Sequence, residues 1–500
     1  MRKRIVPCFL LAAMLALSMP AMGQFYITPH LQNITPDGVT IIWETPDASI
    51  GAVEFSHDGE PATVATDKAA AKIHRVRIMG LSADTTYDYS VTGGTETFSS
   101  QFRTAPGSAD HETVWVLVGD SRRWDDTWEK TGMKEHMLQW NPEFLLNVGD
   151  LVVRGHEYEL WPEHFKRFSD INHRLQMLTA RGNHEGSMIV ETERDWFAKY
   201  HDLPGAGEPY STFDWGNTHF ILLSYEQIVG ALQEDTVEWL DKHLATVDSQ
   251  YIVVAQHFPV FCTGYYSPTE SRKEPGVYTQ PLWEVFDKYG VDLHVSGHTH
   301  IYERLWPIRD SRRNDADGVQ YIVNGGDINA NFPDWFSAVT DNRETMAKPT
   351  YTVFHSKSDR MTARTFAYSP VEEKIIEIDY VVRWEDESVP KAVLESLTDL
   401  EGEKLAAALE ELGAMLYHPA GETLLEYLDT GDLQTRRAAA HGLSALGSSD
   451  LASQLIPRLD DADLEVRRSI ARALEAAMPK MVLGFGKDLT APLHKYVLDA

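Results

Sequence analysis

Five short polar blocks recur along this chain, and each follows an apolar run. They are Val118-Gly119-Asp120, Val148-Gly149-Asp150, Gly182-Asn183-His184-Glu185, Gln256-His257 and Gly297-His298-Thr299-His300. The runs before them, such as Thr113–Val118 and Tyr251–Ala255, show no polar alternation. That pattern predicts strands covered on both faces. In open α/β sheets, ligands gather beyond the carboxyl ends of the strands. Five blocks in that position predict one shared site built from carboxylate, amide and imidazole groups. A lone Gly-Asp pair would carry no such weight, because it is an ordinary turn.

The chain has 500 residues, more than one ordinary core accommodates. Its two flanks differ in character from its middle. From 25 to 106 the pattern is short alternating strands, among them Val39–Trp43, His74–Ile78 and Tyr87–Val91, with a turn at Pro36-Asp37-Gly38. This predicts a β-sandwich. An α/β/α sandwich is expected over 111–384, closing on a hairpin from Thr362–Ala367 and Lys374–Tyr380. Over 390–500, Ala, Leu, Glu and Arg recur at helical spacing, and Asp432–Ala438 aligns with Asp463–Ser469. Such internal similarity predicts helical-hairpin repeats, docked on the central domain or capped by helices at 391–416 and 491–498. A protein partner is the expected ligand of that surface.

The first residues carry an address. Arg2, Lys3 and Arg4 precede an apolar run to about Leu17 and then Ala21-Met22-Gly23. A secretory signal peptide over 1–23 is expected, and with it a secreted or periplasmic protein. No later stretch is long enough to span a bilayer, so no stable membrane insertion is expected after cleavage. Cleavage leaves Cys262 as the sole cysteine, so no internal disulfide forms. The formal charge of −30 argues against nucleic acid as a partner.

The order GD, GD, GNHE, H, GHTH resembles the calcineurin-like metallophosphoesterase superfamily. Gly297 to Arg304, with the β-sandwich ahead of the central domain, is similar to purple acid phosphatases. The stretch Leu81–Tyr87 resembles a fibronectin type III domain, and the C-terminal repeats resemble HEAT repeats. The resemblance implies two transition metals, Fe, Mn or Zn, about 3.5–4 Å apart. It gives the first metal Asp120 and His300, the second Asn183, His257 and His298, and makes Asp150 the bridge. A metal-bridging hydroxide would then attack phosphorus in a small phosphorylated substrate, with Asp150 and His184 as the catalytic pair. His184 would sit over the substrate as proton donor. Monoester hydrolysis is the expected activity. A phosphodiesterase acting on nucleotides or glycerophospho-compounds, or a binding protein with a degenerate metal site, are the alternatives.

Two departures from the family pattern stand out. Val153 occupies the position of the purple acid phosphatase tyrosine, so the tyrosinate–iron colour is not expected. Arg122 occupies the place of a histidine found in other members, and guanidinium cannot bind a metal. Arg122 is expected to hold a phosphate oxygen or to pair with Asp125 or Asp126. Arg181 is expected to reach phosphate or to form a structural ion pair. Glu185 and Glu303 are expected to orient loops. Trp124, Trp128, Tyr265 and Tyr266 are expected at a substrate rim or in packing.

Overall fold

The computed structural model describes residues 25–477, apart from 94–95, 125–127, 129, 187–193, 205–209, 224–233, 263–279, 327–349 and 370–372. The expectations for residues 1–23, Asp125, Asp126, Tyr265, Tyr266 and 491–498 lie outside this set. Among the described residues, no helix is long and apolar enough to cross a membrane.

The N-terminal region is strand-rich. Strands β1 (Ile27–Thr35), β2 (Gly38–Ser49), β3 (Ala52–Ser56), β4 (Thr63–Thr66), β5 (Ala71–Met79), β6 (Thr86–Gly93) and β7 (Glu96–Arg103) form two antiparallel sheets. Their orders are β1-β2-β5 and β4-β3-β6-β7. Leu31, Ile41, Trp43, Val53, Val76, Tyr89 and Val91 fill the space between them. The Tyr87 hydroxyl accepts the amide of Ser82 at 2.9 Å, tying the turn to the strand that follows. Arg75 holds the sandwich to the central domain, donating to the carbonyls of Ala198, Lys199 and His201 and pairing with Asp202 at 3.1 Å.

The central region is a mixed α/β domain. Its strands run β8 (Thr113–Val118), β9 (Phe144–Asn147), β10 (Met177–Thr179), β11 (Tyr210–Trp215), β12 (Thr218–Leu223), β13 (Tyr251–Ala255), β14 (Leu293–Ser296) and β15 (Tyr302–Arg304). A short hairpin, β16 (Ile308–Arg309) and β17 (Arg312–Arg313), leads to β18 (Gln320–Asn324). The domain ends on β19 (Thr350–Ser356), β20 (Arg360–Ser369) and β21 (Lys374–Trp384). Two six-stranded sheets result, ordered β10-β9-β8-β19-β20-β21 and β11-β12-β13-β14-β18-β15. Trp115 joins them, stacking on Phe354 at 4.0 Å within its own sheet and meeting the edge of Phe220 in the other at 5.3 Å. Helices cover the outer faces, Met133–Leu138 and Leu160–Arg167 over one sheet and Glu234–Leu244 and Gln280–Tyr289 over the other. Strands β8, β9 and β10 are parallel, as are β12, β13, β14 and β18. The register places Val118, Asn147 and Thr179 side by side, so three polar blocks leave one sheet at the same level.

The C-terminal region is helical. Helices Gly402–Ala414, Leu433–Leu446 and Leu464–Ala477 pack in succession around Leu409, Leu443 and Ile470. The two aligned aspartates do the same local job. Asp432 accepts the amide of Thr435, and Asp463 accepts those of Glu465 and Val466, each capping a helix N-terminus. Gly413 and Gly442 let two helices approach closely, since a Cβ on Gly413 would lie 2.2 Å from the Gly442 carbonyl. The helical region docks on the central domain. Arg313 stacks on Trp306 and donates to the carbonyls of Leu446 and Gly447, at the C-terminus of one helix. Trp384 donates to the carbonyl of Met415 at 2.8 Å, and His418 meets Asp315 at 2.8 Å.

Candidate active site

Three of the polar blocks turn sharply on leaving their strands. Asp120, Asp150 and His298 all adopt left-handed backbone, with φ of 50°, 60° and 65°. Such strain at non-glycine residues persists only where the surroundings enforce it. The preceding glycines allow the turns to come together. A Cβ on Gly297 would lie 2.5 Å from Asp120 Oδ2, and one on Gly119 would lie 2.3 Å from the Asn324 carbonyl. The two loops are then fastened by hydrogen bonds. The Asp120 amide donates to the Gly149 carbonyl, and the His298 amide donates to Asp120 Oδ2 at 2.8 Å.

Glu185 locks the bridging loop. Its two carboxylate oxygens accept the amides of Asp150 and Leu151 at 2.8 Å, Gly182 at 3.0 Å and Val152 at 3.2 Å. Burial pushes its carboxyl up to about 7, with the Asp150 charge adding to the rise and the amides opposing it. Glu185 therefore orients loops, as its sequence context suggested. Asn147 adds a further hold that its sequence position did not announce, its side-chain oxygen accepting the Gly149 amide at 2.9 Å.

His257 meets both Asp150 and Asn183, and His298 meets Asn183 in turn. His257 Nδ1 faces the Val148 carbonyl at 2.7 Å, which assigns the proton to that nitrogen and turns Nε2 inward. Nε2 then lies 2.8 Å from Asn183 Oδ1 and 3.3 Å from Asp150 Oδ1. His298 Nδ1 lies 3.0 Å from the same Asn183 oxygen. Ligands at about 2.1 Å from one transition metal stand roughly 3 Å apart, so the separations of His257 from Asn183 and Asp150 fit a single ion, with His298 beside it on the Asn183 oxygen. Burial holds His298 down to about 3, leaving its lone pair available. For His257, burial disfavours the charge but Asp150 outweighs it, and the ring is raised to about 9.

The second half of the centre is different. Asp120, Asp150 and His257 lie close enough together to share a cation. Yet Arg122 reaches into the ligand set expected for the first metal. Its Nη1 pairs with Asp150 Oδ2 and with Asp120 Oδ1 at 3.2 Å, and its Nη2 lies 2.6 Å from His300 Nε2. Among the described residues these are the carboxylates that Arg122 meets, while the expected pairing with Asp125 or Asp126 lies outside them. The expectation of two ions meets a guanidinium on the first ligand set. Burial pushes the Asp120 carboxyl up to about 7, with His257 and Arg122 opposing and Asp150 adding. Burial acts on Asp150 in the same sense, but His257 and Arg122 outweigh it and hold that carboxyl well below the ordinary range.

His184 stands over the cluster. Its Nδ1 faces the Val153 carbonyl, which leaves Nε2 pointing inward, 3.8 Å from Asp150 Oδ2. Its side chain is 32% exposed, whereas Asp150 and His257 are buried. Arg181 is directed away from the cluster, pairing with Asp195 at 3.0 Å and lying over the Phe197 ring. It takes the structural role, because the chain segment bearing Asp195 packs beside it. Trp124 and Trp128 are fully buried and belong to packing. Tyr302 and Arg304 both bond Asp379, joining β15 to β21.

Residues 116–302 match the Calcineurin-like phosphoesterase family model, and residues 385–475 match that of HEAT repeats. Purple acid phosphatase 22 of Arabidopsis thaliana is 26% identical over 270 residues, covering 51% of this chain and 59% of that protein. Acid phosphatase type 7 of Mus musculus is 27% identical over 320 residues, covering 57% and 72%. The chain spans 59% and 53% of the length of two Arabidopsis thaliana relatives, purple acid phosphatases 22 and 15. Among solved structures, purple acid phosphatase PPD1 from yellow lupin (Lupinus luteus) seeds superposes with a TM-score of 0.57 at 18% identity. That alignment covers 71% of this chain and 73% of the lupin protein. A PhoD structure superposes with a TM-score of 0.54 at 13% identity, covering 71% and 92%. These structural likenesses concern the fold.

Proposed function

We propose that this chain, whose central domain is a calcineurin-like phosphoesterase domain, hydrolyses phosphate monoesters. The observation that carries the reading is the meeting of Asp150, Asn183, His257 and His298 beyond the ends of four parallel strands, with His184 above them. What a transition metal supplies on those four residues is polarisation of a phosphoryl oxygen and a water acidified toward neutral pH. The protein's own residues do the rest. Asp150 divides its two oxygens between that ligand set and Arg122. Glu185 and Asn147 keep the bridging loop in place. His184, held by the Val153 carbonyl, donates a proton to the leaving oxygen. Phosphorylated small molecules are the substrates this arrangement suits.

Turnover of p-nitrophenyl phosphate by the metal-loaded protein, and its loss in Asp150→Asn and His257→Ala variants that still fold, is the expected result. A variant lacking His257 with normal turnover would dismiss the reading. Parallel assays on bis(p-nitrophenyl) phosphate decide between monoester and diester chemistry. A second reading, a binding protein that keeps the fold, draws on the contacts of Arg122 with Asp120, Asp150 and His300. It predicts metal binding with no hydrolysis of any phosphate ester.

The proposal extends to the flanks. The Tyr87–Ser82 contact supports a fibronectin type III-like sandwich over 25–106, because such domains pin this corner with a tyrosine. The central domain is taken as 111–384 and the repeats as 390–500, with a protein partner on the repeats. Export rests on the sequence of residues 1–23 alone, and N-terminal sequencing of the mature protein tests it.

A further inference from the structure

Asp120, Asp150 and His300 come from three loops, and one side chain bonds all three. Arg122 gets there by its backbone. Asp120 turns left-handed, Ser121–Arg123 form a single tight turn, and the Arg122 amide donates to the Asp150 carbonyl at 3.1 Å. This sends the guanidinium back over the two aspartates, with 6% of its side chain exposed. For Nη2 to donate to His300 Nε2, that nitrogen must present its lone pair, the same lone pair a metal would take. Each contact of the arginine therefore consumes a donor atom of the first ligand set. Guanidinium keeps its charge at every working pH and offers no lone pair of its own. It cannot share that volume with an ion.

Of the second set, Asp150 bonds Arg122, and it does so through Oδ2, the oxygen other than the one nearest His257. Asp150 Oδ1 stays turned toward His257 at 3.3 Å and accepts the His184 amide at 3.0 Å. One half of the centre is thus complete as a protein ion-pair cluster, and the other gathers a carboxylate, an amide oxygen and two imidazoles.

We propose that Arg122 is the resident cation of the first position, so that the centre holds a single metal on Asp150, Asn183, His257 and His298. Two buried carboxylates are then balanced by one fixed guanidinium and one exchangeable ion. This inference rests on the hydrolase reading above and replaces its two-metal expectation with one metal and one arginine.

The test is metal content and spectroscopy on the full chain, purified and reloaded with Mn(II). The wild type is expected to hold about one equivalent per chain and to show the six-line signal of an isolated ion. About two equivalents with an exchange-coupled signal would overturn the proposal. His300→Ala is expected to retain the ion and His298→Ala to lose it. Loss in His300→Ala as well would also overturn it. Arg122→His, which restores an imidazole to the first set, is expected to gain a second equivalent and the coupled signal. Folded Arg122→His that stays at one equivalent would count against the guanidinium as the excluding group. A wild type that binds no Mn(II) or Zn(II) defeats the hydrolase reading itself, whereas a coupled pair defeats only the single-ion claim.

Discussion

Replacing His184 by asparagine should separate proton donation from metal binding. The ring bonds the protein through Nδ1 and the Val153 carbonyl, and its inward Nε2 lies 3.8 Å from Asp150 Oδ2. It is not among the four residues proposed to hold the ion, so metal content should not change. A positioned general acid contributes about 10²–10⁴-fold, or roughly 3–5.5 kcal/mol of barrier. With 32% of the side chain exposed, solvent water reaches the leaving oxygen and replaces part of the lost donor. The loss in kcat should therefore fall near the lower end, about 10²-fold, for an alkyl phosphate whose alkoxide needs a proton. For p-nitrophenyl phosphate, whose phenolate leaves without one, the loss should shrink to a few-fold at most. Steady-state kinetics of both substrates on metal-quantified protein measure this. An equal loss on the two substrates would refute the donor role, and unchanged rates would remove His184 from the chemistry.

The remaining expectations concern stability and the ion. Asp379→Asn strips the counter-charge from buried Arg304 and a hydrogen bond from Tyr302, and should destabilise the central domain by about 3–5 kcal/mol without changing metal content. Denaturant melts of the single mutant and of an Arg304→Met/Asp379→Leu double mutant check this, with the double expected to recover most of the loss. Acid should weaken the contact between sandwich and central domain. Burial holds His30 down to about 4 and His201 down to about 3, their backbone hydrogen bonds opposing only in part. Both rings stay neutral when folded but take a proton when unfolded, so stability falls as pH drops below about 6.5 toward those values, at up to about 1.4 kcal/mol per unit per ring. Melting curves of wild type and His201→Gln between neutral and acid pH should diverge accordingly. Chelation should abolish turnover and lower the melting temperature, because the ion binds only the folded arrangement, and re-addition of Mn(II) or Zn(II) should restore both.

Much of this architecture is legible in the sequence because two physical signals are local. Apolar runs such as Tyr251–Ala255 cannot be half-exposed, so they become covered strands, and their parallel pairing brings the polar residues that follow to one edge. Asp432 and Asp463 repeat as helix caps within matching segments, so the repeats announce themselves by pattern. The destinations of the arginines are not local. Arg122 has Asp120 as a neighbour in any fold, but only the left-handed turn at Asp120 and the amide bond to Asp150 swing it onto His300, far along the chain. Arg181 precedes a site residue, yet the packing of Asp195 and Phe197 beside it draws it out of the cluster. Residue type identified both as cations seeking anions, and tertiary contact decided which anions.

The same distinction explains what the sequence hid about orientation. Val153 stands where the resemblance leads one to look for a tyrosine, and its side chain contributes nothing to the cluster. Its carbonyl nevertheless aims His184, and the Val148 carbonyl aims His257. Any residue provides a carbonyl, so no motif records these contacts. They matter because an imidazole presents a lone pair on one nitrogen only when a proton is held on the other. Backbone geometry, enforced by the Glu185 clamp on Asp150, Leu151 and Val152, thereby sets which ring atoms face the ion position. The glycines before Asp120 and His298 belong to this scaffold, since a methyl group at either position would strike the Asn324 backbone or Asp120 itself. A site assembled from strand ends thus depends as much on main-chain carbonyls and close approaches as on the side chains that name its chemistry.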